Sequence, residues 1–171
     1  YVEPKHKMVL LDRMWDLAHA VKEQLIIDVT YKANYGANLV VRRLKPVGIM
    51  FSEFYFYLTA FIVKEGEEQD NLCPTIYRID RIVDLTISNE HFRVPYAERF
   101  EEGEFRKRIQ FMQGGKLEKI KFYFNGPSIE AILDRLPTAK ILQHDDKGYL
   151  VQAEAFGKGA EMWLRTQGDW V

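Results

Sequence analysis

One cysteine, Cys73, stands among 171 residues. It excludes an intramolecular disulfide, and with it the stapled scaffolds of small secreted proteins. A reducing, cytoplasmic setting is the expectation. Long apolar runs are missing as well. The most apolar stretch, Phe54 to Val63, falls far short of the ~20 residues that span a bilayer and suits a buried strand. No membrane partner is expected. Glycine and proline are few, 11 and 6, which excludes collagen-like and low-complexity chains. Charge of one sign is also lacking: 24 Lys and Arg against 25 Asp and Glu leave a net −1. That excludes a blanket polycation but not a local basic patch. What is present is apolar material, 47% of residues with 13% aromatic, enough for one ordinary domain or two small ones.

Catalytic patterns are absent too. Neither GxxxxGK[ST] nor GxGxxG occurs. The three serines, Ser52, Ser88 and Ser128, stand outside any GxSxG turn. His6, His19, His91 and His144 are dispersed, with no HExxH and no metal-ligand spacing. A triad assembled in space stays open, but an enzyme is the weakest reading. No metal, cofactor or catalytic residue is expected, and Cys73 reads as an ordinary strand or turn thiol.

Leu10, Met14, Leu17 and Val21 recur at helical spacing between Met8 and Lys22, with Leu11, Trp15 and Ala18 widening the apolar stripe. Strand texture follows over Gln24 to Lys32, Leu39 to Met50, Glu53 to Lys64 and Thr75 to Ile87. Asn34 to Asn38 supplies one turn and the acidic run Glu65 to Asn71 another. Pro46-Val47-Gly48 implies an edge, bend or bulge. This order predicts a small antiparallel β-barrel behind an N-terminal helix. A connector, 96–116, leads to a second pattern: strand Lys119 to Phe124, helix Pro127 to Leu136, a hairpin around Asp145 to Gly148, helix Ala160 to Gln167, and a strand starting at Trp170. That is a βαββαβ, ferredoxin-like unit in an α+β chain. Residues 1–23 read as a helix and linker, 24–95 as the barrel, and 117–171 as the second unit. The start at Tyr1 without Met reads as a piece of a longer protein.

Alternation from Phe54 to Ala60 puts Phe54, Phe56, Leu58 and Ala60 on one face and Tyr55, Tyr57 and Thr59 on the other. The tyrosine face is either a second buried face or the lining of a groove; spacing alone favours burial. Tyr77-Arg78-Ile79-Asp80-Arg81-Ile82 breaks the pattern, since strict alternation mixes core residues and charge on both faces. A bulge or sharp bend near Asp80-Arg81 restores a core side of Tyr77, Ile79 and Ile82 and brings Arg78 and Arg81 together. Two guanidiniums so placed suit phosphate or carboxylate; pairing with Asp80, Asp84 or a glutamate is the plainer alternative. Arg42, Arg43 and Lys45 add charge on a neighbouring strand. Cations beside rings are what nucleotide or single-strand recognition needs.

These residues resemble the WYL domain, found mainly in bacterial transcriptional regulators. Its three motif positions correspond to Phe56-Tyr57-Leu58. Other marks are Ala20-Val21, Tyr31, Arg42 to Pro46, Gly48-Ile49, Tyr77 to Ile82 and Phe92-Arg93-Val94-Pro95. The second half resembles the C-terminal extension often joined to such domains, through Glu161-Met162-Trp163-Leu164 and Gly168. The resemblance implies an Sm-like, SH3-type barrel, a missing N-terminal helix-turn-helix that binds duplex DNA, and an effector role as a homodimer. It implies ligand contacts at Arg42, Tyr57, Arg78 and Arg81; Arg43 joins them on charge alone. Phe56 in place of Trp keeps a ring and loses the indole donor. The expected function is sensing of an anionic ligand, such as a nucleotide or single-stranded nucleic acid. The alternatives are an RNA or single-stranded DNA module without switching, and an oligomerisation scaffold.

Overall fold

The computed structural model describes residues 10–33, 38–63, 73–94 and 99–171. The turn at Asn34, the acidic run at Glu65 to Asn71 and Pro95 lie outside these residues wholly or in part. The chain divides into two compact units, Tyr1–Phe100 and Glu101–Val171.

In the first unit, helix α1 (Leu10–Lys22) precedes strands β1 (Leu25–Lys32), β2 (Leu39–Ser52), β3 (Tyr55–Ile62), β4 (Thr75–Arg78) and β5 (Ile82–His91). The helix forms where the spacing predicts. Leu10, Met14, Leu17, Ala20 and Val21 pack on a core of Ile27, Val29, Leu44, Leu58, Ala60, Tyr77, Ile79 and Ile82. Leu11 and Trp15, the outer margin of the stripe, stay exposed. One helix resting on one sheet buries only a limited arc.

All strand pairs are antiparallel, in the order β4-β3-β2-β1-β5. The expected closed barrel is therefore corrected to an open sheet, since β4 and β5 are its two edges. The physical reason lies in Ile79–Arg81, a 3-10 turn between them. β4 ends after four residues, and the backbone then bonds within the turn, Ile82 N–H to Ile79 C=O, rather than across to a partner strand. Three residues of 3-10 turn advance only ~6 Å, so the chain passes directly from one edge to the other and the sheet curls around its core. β2 continues through Pro46 with a bulge, its register shifting between Pro46 and Gly48.

The second unit contains α2 (Glu102–Arg108), β6 (Leu117–Phe124), α3 (Glu130–Arg135), β7 (Lys140–Asp145), β8 (Gly148–Phe156) and α4 (Gly159–Arg165). Its sheet order is β6-β8-β7, the order of the first three strands of a ferredoxin-like unit. Phe124, Ile132, Leu136, Val151, Ala153 and Ala160 form its core. A 3-10 turn, Gly168–Trp170, stands where a fourth strand was expected. Gly168 takes a left-handed φ of 64°, and the Trp170 carbonyl accepts the Asn125 N–H at 3.0 Å. The turn satisfies locally what a strand would satisfy along its length. Among the described residues no helix is long and apolar enough to cross a membrane.

Candidate functional site

The 3-10 turn makes the site. It puts Tyr77, Ile79 and Ile82 into the core, 5%, 0% and 0% exposed, as the broken alternation requires. Arg78 is then free to project from the other side. Its register partner is Tyr57, which places both on the face of β3 away from the core. The Arg78 Nε and Nη2 donate to Asp80 Oδ1 and Oδ2 at 3.0 and 2.6 Å, a two-pronged pair. The Arg78 guanidinium also lies over the Tyr55 ring, 3.5 Å from its centroid. Behind it, the Tyr31 hydroxyl accepts the Arg78 backbone N–H at 3.3 Å and the Tyr31 ring meets Tyr77 edge-on.

The electrostatics follow from this packing. Burial pushes the Tyr57 phenol up, while Arg78 and Arg81 pull it down less strongly. For Arg78, burial is the largest single influence and lowers its pKa. The hydrogen bond and charge of Asp80, with Tyr55, outweigh it, so the net direction is upward. Arg81 is half-buried in the turn and makes no hydrogen bond or ion pair with a described residue. On the far side of the turn, Arg13 of α1 donates to the carbonyls of Ile82 and Val83.

Of the residues singled out from the sequence, Tyr57, Arg78 and Arg81 come together. Arg42 does not join them. It is register partner to Val29, on the core-facing side of β2, where its charge acts on Tyr77. Arg43 lies on the outer side, held by Glu90 at 2.5 Å and Asp28 at 3.6 Å. Met50, the partner of Tyr57, is about 20 Å further along β2. Tyr55 and Asp80 were not among the candidates. Period two already put Tyr55 beside Tyr57, so that signal was available. A cleft of about 170 Å³, lined by Val21, Pro46, Val47, Phe92, Arg99 and Phe100 among others, contains none of the candidate residues. Among the described residues no group of His, Cys, Asp and Glu could hold a metal ion.

Residues 12–87 match the WYL domain family, so the chain carries a WYL domain over the helix, the sheet and the site. Two solved structures are similar to this chain. One is a CRISPR Cas-related protein, at TM-score 0.58 and 18% identity, covering 95% of this chain and 46% of that one. The other is proteasome accessory factor B/C of Arthrobacter aurescens, at TM-score 0.47 and 13% identity, covering 99% of this chain and 25% of that one. The chain thus spans less than half the length of either. No curated protein matches the sequence.

Proposed function

We propose that this chain is the ligand-sensing part of a bacterial helix-turn-helix transcription regulator, binding a nucleotide or single-stranded nucleic acid at the β4–β5 turn. The observation that carries the reading is the gathering of Tyr55, Tyr57, Arg78 and Arg81 around one short turn. Rings stack on bases and guanidiniums meet phosphate, and neither is needed to complete a core that Tyr77, Ile79 and Ile82 already fill. The family resemblance supports an effector role, with a homodimer as the working form and duplex DNA held by a separate N-terminal domain. No residue is assigned a catalytic role.

Sensing needs a ligand that binds one arrangement more tightly than another. Arg13 offers the mechanical link, because it ties α1 to the residues directly after the turn. A ligand that shifts Arg81 or Asp80 moves the Ile82 carbonyl, and with it the register of α1.

The test is a titration of labelled single-stranded oligonucleotides and of free nucleotides at several salt concentrations. Binding should weaken with salt, at a slope near −0.7 per phosphate neutralised on a single strand. Saturable binding should also change the accessibility of a probe attached to α1. Binding without any response in α1 would favour a module that holds nucleic acid without switching. No binding of any nucleotide or oligonucleotide would leave the oligomerisation scaffold as the better account.

A further inference from the structure

Resting on that reading of the site, we infer a division of labour within it: Arg78, clamped by Asp80 and laid on Tyr55, is a stacking platform for a nucleobase, and Arg81 makes the phosphate contact. The two arginines are equivalent in sequence but not in what they have left to offer. A guanidinium grips phosphate through paired N–H donors along one edge. In Arg78 the Nε–Nη2 edge is already spent on both oxygens of Asp80. One of its two flat faces is spent on Tyr55. The opposite face remains, together with the Nη1 end, on a side chain still 19% exposed. A flat cation backed by a ring is suited to a third planar group, and a nucleobase is one.

Charge gives the same division. The Asp80 side chain is 3% exposed, so the Arg78–Asp80 pair is a neutral unit facing the ligand. A phosphate drawn to the Nη1 end of Arg78 meets a charge that Asp80 already offsets, and so gains less there than at a guanidinium with no carboxylate partner. Arg81 has no such commitment among the described residues, and it lies close enough to Tyr57 for its charge to act on the phenol. The ligand defined this way carries a base next to a phosphate; a polyanion without bases uses only half of the site.

The experiment compares an oligodeoxyadenylate with an abasic oligomer of equal length and charge, each titrated against the 171-residue chain over a range of salt. The parent should prefer the adenylate. Arg81→Ala should make the salt slope shallower by about 0.7 while keeping that preference. The paired variant Arg78→Ala/Asp80→Ala removes both charges and strands neither. It should leave the slope unchanged and weaken adenylate binding about five- to a hundredfold, erasing the preference. Asp80→Asn, which releases Arg78, should steepen the slope by about 0.7. Tyr55→Leu, which keeps both charges, serves if the paired variant fails to fold; it should lower the preference at constant slope. A slope as shallow in the paired variant as in Arg81→Ala would overturn the inference by making Arg78 a phosphate ligand. So would equal binding of both oligomers by the parent, while leaving the site reading intact. A parent that binds neither oligomer would overturn the site reading, and this inference with it.

Discussion

Arg43 and Arg78 invite comparison because each meets a carboxylate at nearly the same distance, Glu90 at 2.5 Å and Asp80 at 2.6 Å. Around Arg43 the strand face is open, and the partner Glu90 is 65% exposed. Water and salt compete for both groups, and Asp28 is a second, looser partner. Around Arg78 the carboxylate is buried, the donors are fixed in plane, and a ring backs the guanidinium. Contact distance does not rank the two. Desolvation and the number of directions from which a group is held do.

Breaking the buried side should have the largest effect. Asp80→Ala strands Arg78, and because that arginine keeps some solvent the expected loss is about 2–3 kcal/mol, at or below the low end for buried pairs. Urea unfolding measures it; a loss under about 1 kcal/mol would show that the turn does not depend on the pair. Tyr31→Phe removes the acceptor behind Arg78 while keeping the ring, and should cost about 0.5–1 kcal/mol by the same assay. Arg43→Ala should leave the unfolding midpoint and oligonucleotide binding unchanged; a drop in binding would draw the site onto the other end of β2. The smallest effect belongs to another exposed cluster, Glu104 with Lys107 and Arg108 in α2. Hydrogen bonds from Lys107 and then Arg108 lower the Glu104 pKa to about 2. Its folded value lies below the unfolded one, so the contribution is present above the ordinary glutamate range and is lost as pH falls toward 2. Carboxyl NMR should find Glu104 still ionised at about pH 3, where unperturbed glutamates are mostly protonated.

Much of this was legible in the chain, for physical reasons. The α1 stripe and the core side of β3 follow from periodicity, since burial acts on one face at a time. The bend at Asp80-Arg81 was legible because a straight strand would have put charge into the core. The alternative in which Arg78 pairs with Asp80 could be named, but not chosen, since the choice depends on how deeply Asp80 is buried. Sheet closure was not legible: strand count and turn spacing do not say whether two edges bond or merely meet. The placement of Arg42 and Arg43 was hidden too. Neighbours on a strand point to opposite sides, so charge summed along a segment is not charge on a surface.

The bulge in β2 has an arithmetic of its own. Before Pro46 the even-numbered residues Arg42 and Leu44 stand on the core side of the sheet, paired with Val29 and Ile62; after Gly48 the odd-numbered Ile49 and Phe51 do, paired with Leu58 and Phe56, with Arg42 and Phe51 exposed at its margins. One surplus residue acts on the strand as a single inserted letter acts on a reading frame. Deleting Val47 would therefore do more than shorten the strand. Every side chain from Ile49 to Ser52 would exchange one face of the sheet for the other, Met50 would leave the face on which it is 1% exposed, and Tyr57 would lose its register partner.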